Sequence, residues 1–242
     1  MPPSASTPGT SAGVFKRVRW AAAVATVLTI VAGIRYPGGT FQDHSTRGYL
    51  FFENFLSDLG MTVAHNGEAN RFGAILFIVG LLVLVVGLGG SLVGFVRLHS
   101  GAKESRTFAR LAGLVGLVVC VCFAGVAFTP ENRFLGLHIF FTRAAWRLFV
   151  LVPLFLFAAS LRSTDVPRGI RSAWLFLTVM LAGYVWVLDF GPRVSAPGGL
   201  VTQATAQKII AITAVLTFVY LSVAAERRMV AGVSAPRTFE PT

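Results

Sequence analysis

The sequence predicts an all-α integral membrane bundle of six transmembrane helices, with an amphipathic interfacial helix in the first outer loop. Of its 242 residues, 55% are hydrophobic and only 13% are charged, whereas soluble domains carry roughly 25% charged residues. The apolar residues lie in runs of about the 20 residues that a helix needs to cross a bilayer. Only helices satisfy all their backbone hydrogen bonds within such single runs.

The six runs follow one another along one domain, which we place at residues 16–228. Residues 1–15 and 229–242 are rich in small and polar residues, and we expect both to be disordered and cytoplasmic. Basic residues precede the first run, as they do in a signal peptide. The run ends at Ile34, Arg35 and Tyr36 without a clean cleavage site, which favours an uncleaved span. The predicted spans are 20–34, 72–96, 108–128, 134–161, 173–190 and 206–225.

The distribution of basic residues predicts the orientation in a cell membrane. With the N-terminus inside, the inner segments hold 13 arginines and lysines and the outer segments hold six, as the positive-inside rule requires. An even number of spans then places the C-terminus in the cytoplasm too. The net charge of +11 fits anionic lipid headgroups, because the basic residues lie at the ends of apolar runs. We expect no nucleic-acid partner, because no basic stripe with interleaved aromatic residues is present.

The long first outer loop contains the predicted interfacial helix, over residues 48–60. At 100° per residue, the aromatic side chains fall on one face and Glu53, Asn54, Ser57 and Asp58 fall on the other. Gly60 is placed to end the helix. Such a helix lies in the membrane interface, and its polar face is either a solvated cap on the bundle or one wall of a polar ligand-binding pocket.

The fourth span carries two arginines, Arg143 and Arg147, which are four residues apart and therefore on one helical face. Arginine inside a bilayer is costly and usually faces a partner within the protein. The carboxylates considered as partners are Asp189, Glu131, Asp58 and Glu53. The arginines are either members of a structural ion pair or a site for an anionic headgroup or carboxylate, because the guanidinium fork suits those groups.

His138 begins the same span and is the last candidate. A lone histidine at a helix start is usually structural, but with Ser57 and Asp58 it forms the candidate catalytic set, in which it would be a general base or a metal ligand. Neither a paired-His nor a Cys-x-x-Cys spacing is present, so we predict no metal site and no cofactor.

Small residues in two spans predict close contact between helices. The patterns are Gly90-x-x-x-Gly94 in the second span and Ala112-x-x-x-Gly116 in the third, and small residues at this spacing let helix backbones approach. We interpret them as packing within the bundle, while a homo-oligomer or a larger membrane complex stays open.

The segment 54–60, which reads NFLSDLG, resembles the bacterial and archaeal six-span family known as domain of unknown function 998. An asparagine before the second span (Asn66 or Asn70), a Pro-containing turn over 125–132 and the following His138 support the resemblance, which covers 20–225. The chain is more remotely similar to the FRAG/DRAM/SFK membrane proteins of eukaryotes. Those proteins are associated with lipid handling, so the resemblance would imply a role in lipid handling for this chain. The positions it carries are Asn54, Ser57, Asp58, Gly60 and His138.

Three functions remain open from the sequence. The first is a non-enzymatic membrane protein that binds or handles a lipid or amphiphile in a polar pocket at the outer leaflet. The second is a structural subunit of a membrane assembly, and the third is an intramembrane lipid hydrolase or remodelling enzyme. The predicted ligand-binding residues are Glu53, Asn54, Asp58, His138, Arg143, Arg147 and Asp189.

Overall fold

The computed structural model describes residues 8–99 and 102–234, and within them the fold is helical, with two isolated β-bridges and no strand. Six helical segments are long and apolar enough to cross a membrane, which confirms the predicted count. The segments 1–7 and 235–242, predicted to be disordered, lie outside the described residues, whereas 8–15, also predicted to be disordered, belong to the first helix. The helices are α1 Pro8–Ile34, a 3-10 helix Leu56–Gly60, α2 Arg71–Leu98, α3 Lys103–Phe128, α4 Glu131–Phe149, α5 Leu151–Leu161, α6 Arg168–Phe190 and α7 Gly199–Ser234.

The helices form a ring in chain order. Each packs against the next, and α7 closes the ring against α1. Helices α4 and α5 together occupy one place in the ring and both pack on α3. The break between them precedes Pro153, which has no N–H to donate to the helix. Since neighbours run antiparallel, we call the end that carries residues 35–70 the loop end and the other the opposite end.

An ion-pair cluster joins the first and last helices at the opposite end. Arg19 donates a hydrogen bond of 2.6 Å to the carboxylate of Glu226, and Lys16 lies 3.8 Å from the same carboxylate. The cluster links residues 207 positions apart in the sequence. It therefore joins α7 to α1, the two neighbours in the ring that no loop connects.

Aromatic side chains fill the ring toward the opposite end. The ring of Phe95 lies 5.1 Å from that of Phe15 and 4.9 Å from that of Trp174, and Phe218 packs against both Phe95 and Trp174. Phe15, Phe95 and Trp174 are fully buried. The edge-on geometry of these contacts is the one that aromatic quadrupoles prefer, so this end has a closely packed core.

Helices α1 and α2 approach one another through glycines spaced seven apart. A Cβ atom on Gly87 would lie 2.4 Å from Ala21, and one on Gly94 would lie 2.8 Å from the ring of Phe15. The predicted pattern was Gly90 with Gly94, but Gly90 faces open space, with nothing within 4 Å of its Cβ position. Seven residues make nearly two turns, so Gly87 and Gly94 lie almost in line along α2, whereas Gly90 is turned about 60° from Gly87 at 100° per residue.

The predicted amphipathic α-helix over 48–60 is not present. A turn precedes the 3-10 helix Leu56–Gly60, and that short helix is the regular structure in this stretch. The cause is competition by side chains for the backbone: Asn54 Oδ1 accepts from the N–H of Leu50, and Asp58 Oδ2 accepts from the N–H of Phe55. Asn54 and Asp58, which the helical wheel placed on the polar face of the helix, instead turn their side chains to the loop backbone.

The loop 35–70 packs down into the loop end. Gly39 has a φ of +81°, and a Cβ there would lie 2.3 Å from the backbone nitrogen of Asn66, so only glycine fits this crossing of two loop strands. Asn132, at the start of α4, accepts from the N–H of Thr62 through Oδ1 and donates to its hydroxyl through Nδ2. The loop is thereby fastened to the ring that it covers.

Candidate functional site

An apolar cavity of about 150 Å³ lies inside the ring, directly beneath the loop. It is lined by five of the helices, α1, α2, α3, α4 and α7, and by Leu56 and Ser57 of the 3-10 helix. Toward the aromatic core its floor includes Phe149 and Ala214. None of its lining residues is charged. A cavity of this size in apolar surroundings has room for about one six-carbon ring.

A few hydroxyl and amide groups line the cavity among the apolar side chains: Thr29, Ser57, Thr142 and Gln207. The hydroxyl of Thr142 is buried and has no hydrogen-bond partner among the described residues. Threonines within helices commonly bond to the carbonyl four residues earlier, as Thr26 and Thr178 do here. Thr142 therefore carries an unused donor and acceptor at the cavity wall.

Above the cavity, Asn54 and Asp58 form the centre of the loop. Asn54 is fully buried, and its amide nitrogen donates to the carbonyl of Gly39 at 2.8 Å and to Asp58 Oδ2 at 2.9 Å. Asp58 is 1% exposed, and its Oδ1 has no partner in the described part of the chain. The N–H groups of Asn54 and Phe55 therefore hold one oxygen of a buried carboxyl group at the centre of the loop.

Lys208 of α7 is a buried lysine that contacts the loop. The residue is 1% exposed, and its ammonium group donates to the carbonyls of Asn54 and Ala204. The rings of Tyr49 and Phe51 lie 5.5 and 5.3 Å from it, within the range of cation–π attraction. Together with Gln207, whose side-chain oxygen accepts from the N–H of Leu56 at 2.8 Å, it clamps the loop onto α7.

The histidine that accompanies Asp58 is His65, not His138. His65 Nε2 lies 3.6 Å from Asp58 Oδ2. The Asp58 carboxylate raises the pKa of His65, the more distant Glu131 acts in the same direction, and burial opposes both. Tyr36 and Tyr49 lie near the same carboxylate. Burial raises the pKa of both phenols, and the Asp58 carboxylate acts in the same direction, so both phenols stay neutral.

His138 lies at another point of the loop end. Its Nδ1 is 2.7 Å from the carbonyl of Thr129, and its Nε2 is 3.9 Å from Glu131. No described hydrogen bond joins His138 to Ser57 or Asp58, so the structure does not assemble the candidate catalytic set as a bonded triad. Ser57 faces the cavity, while Asp58 Oδ2 is turned to the loop backbone, Asn54 and His65.

Arg143 and Arg147 differ from the expectation that they face the interior. Both are exposed on the outside of the ring. Arg147 makes two hydrogen bonds, at 2.7 and 3.0 Å, to Asp189, the penultimate residue of α6, and the charge of Arg143 acts on the same carboxylate. The arginines therefore belong to an outward-facing ion pair, and the cavity wall is formed by Thr142 and Trp146, each one residue earlier.

Of the remaining candidates, Glu53 is half-buried and lies outside the cavity lining. Sequence reasoning noted His65 and Lys208 only as polar residues of the outer side and did not select them. A lysine interrupting the apolar run 206–225 was the available signal for Lys208. His65 offered none, because its pairing with Asp58 depends on how the loop folds back.

No family model, curated protein or solved structure matches this chain.

Proposed function

We propose that this chain is an integral membrane protein that holds an uncharged lipid chain or similar apolar molecule in the cavity beneath its loop. The six apolar helices support insertion in a membrane. The bias of basic residues toward the opposite end supports placing that end in the cytoplasm and the loop end outside. The domain of unknown function 998 resemblance stays a prediction.

The observation that carries the binding proposal is the composition of the cavity. Its wall is apolar except for a few hydroxyl and amide groups, and it contains no charge. A charged headgroup buried there would have no counter-charge, at a cost of several kcal/mol. The cavity therefore favours a hydrocarbon chain, or a small neutral molecule with one hydrogen-bonding group opposite Thr142.

The position of the arginines removes the main support for an anionic headgroup in this site. Arg147 is already paired with Asp189 on the outside of the ring, and neither arginine lines the cavity. Binding is also favoured over hydrolysis, because Ser57 is not hydrogen-bonded to a histidine or carboxylate among the described residues.

Fluorescence of Trp146, which lines the cavity, tests the proposal. Trp20 and Trp186 are 73% and 62% exposed, so replacing both with phenylalanine leaves the buried Trp146 and Trp174 as reporters. In vesicles of phosphatidylcholine with brominated acyl chains, we expect the remaining fluorescence to be partly quenched, because a chain enters the cavity.

The variant Ala211→Phe fills the cavity and should abolish most of this quenching. Leu216→Phe is the matched control, since Leu216 lies on the same helix but is 62% exposed. Arg147→Ala should leave the quenching unchanged. Equal quenching in the Ala211→Phe and Leu216→Phe proteins, with both folded by circular dichroism, would contradict the proposal.

A further inference from the structure

A second concave surface lies on the outside of the ring, between α1 and α2. This groove has a volume of about 590 Å³, within the range of small-molecule sites. Its walls include Val24 and Val86, which are 43% and 75% exposed, and Gly87 and Gly90 lie along it. From Val14 to Val24 it extends about 15 Å along α1, at 1.5 Å per residue.

Glycine forms part of the groove for two different reasons. Gly87 allows the contact with Ala21 that holds the two helices together, as described above. Gly90 has nothing within 4 Å of its Cβ position, so its lack of a side chain is not required by packing between the helices. The absence of a side chain at Gly90 leaves the groove open.

Arg17 lies at the end of the groove nearest the start of α1 and is exposed. Its neighbours Lys16 and Arg19 are both paired with Glu226. Arg17 forms no ion pair with any described residue. The groove therefore combines an apolar trough with one free guanidinium and, beside it, the exposed indole of Trp20.

We propose that this groove binds an anionic phospholipid of the leaflet at the opposite end, with its phosphate on Arg17 and an acyl chain in the trough. The inference rests on the proposed membrane insertion, but not on occupancy of the central cavity. Guanidinium binds phosphate through two parallel hydrogen bonds, and indole rings favour the membrane interface. A second copy of the chain is disfavoured, because a two-fold contact through this groove would bring the two basic ends together.

Trp20 is the reporter for the test, in a Trp186→Phe background that removes the other exposed tryptophan. The quenching of Trp146 and Trp174 is measured in the protein that lacks both Trp20 and Trp186 and is subtracted. The full chain is placed in phosphatidylcholine vesicles that contain brominated phosphatidylglycerol or, at equal mole fraction, brominated phosphatidylcholine. We expect phosphatidylglycerol to be preferred about fivefold at Trp20, the effect of roughly one basic residue near the surface. Arg17→Gln should remove the preference.

Two further variants separate this site from general attraction to the basic end. Arg97→Gln removes another exposed arginine at the opposite end and should keep the preference. Gly90→Leu fills the trough and should reduce quenching of Trp20 by phosphatidylglycerol, while quenching at Trp146 stays unchanged.

The proposal is overturned by equal quenching from both lipids in the starting protein, or by a preference that survives Arg17→Gln. It is also overturned if chemical cross-linking shows a dimer that Gly90→Leu dissociates, since the occupant is then a second copy. Vesicle flotation measures whether the protein inserts into the membrane. Failure to insert would contradict the proposed function itself. If Trp146 were not quenched while Trp20 was, only the proposed binding in the central cavity would be contradicted.

Discussion

At the opposite end of the ring, the side chains of Phe95, Trp174 and Phe218 meet edge to face. At the loop end, the same ring of helices encloses a cavity and a loop held by hydrogen bonds to Asn54 and Asp58. One region is filled by dispersion contacts between apolar side chains. The other is closed by a polar segment that touches the ring at a few points.

The difference has consequences for stability. Close-packed cores open only when the whole fold opens, whereas segments held by few contacts open locally at lower free energy. The clamps from Gln207 and Lys208 to the loop backbone can release without separating the helices. If a ligand enters the cavity from the loop end, the loop is therefore the segment that has to move.

The largest expected effect is at the packed end. Trp174→Ala removes a fully buried indole and should lower the free energy of unfolding by about 3–5 kcal/mol. The measurement is denaturant titration in detergent micelles, followed by circular dichroism. Trp186→Ala is the control, because Trp186 is 62% exposed, and its effect should be below about 0.5 kcal/mol. Similar losses in both variants would show that the aromatic cluster is not a close-packed core.

Sequence reasoning succeeded best for the number of helices in the ring. Six apolar runs predicted six helices because the pattern depends on composition alone. The partners within the ring were harder to predict, since a difference of one residue rotates a side chain by 100°. Arg143 and Arg147 drew attention as charges, yet the residues that reach the interior are Thr142 and Trp146, one position earlier.

An intermediate effect is expected for the centre of the loop. Asp58→Ala leaves one N–H of the buried Asn54 amide and the N–H of Phe55 without their acceptor, which should cost about 2–3 kcal/mol. Because the loop opens locally, the change should appear as faster hydrogen exchange in residues 36–66, with little change in the exchange of α3. Glu53→Ala, at a half-buried position in the same loop, should have little effect. Equal acceleration in α3 and in the loop would mean that the two ends unfold together.

The loop shows why the candidate site was only partly predictable. The motif 54–60 selected Asn54 and Asp58 as site residues, but a helical wheel placed them on the polar face of a regular helix. Their side chains instead bond to the backbone of Leu50, Gly39 and Phe55, contacts that no periodic pattern encodes. The same folding brings His65 to Asp58 from seven residues away.

The smallest expected effect is the pH dependence of the loop, which arises from His65. The pKa of His65 is raised in the folded protein, chiefly by Asp58. The stability from the charged pair is therefore fully present below about pH 6.5, the usual pKa of histidine, and is lost as the pH rises through the raised value. Its size should be on the order of 1 kcal/mol, because the cost of burying both side chains, which are 12% and 2% exposed, offsets much of their attraction.

Hydrogen exchange of residues 36–66 at pH 6 and at pH 8, corrected for the intrinsic exchange rates, measures this effect. Protection of the loop should be greater at pH 6, while the protection of α3 should not change. His65→Gln removes the titrating group and should make loop protection equal at the two pH values. If protection were greater at pH 8, or if the pH dependence survived in His65→Gln, the charged pair would not be what holds the loop closed. Another ionisable group of the loop end, such as Glu131, would then be responsible for a pH dependence of protection that the loop shows and α3 does not.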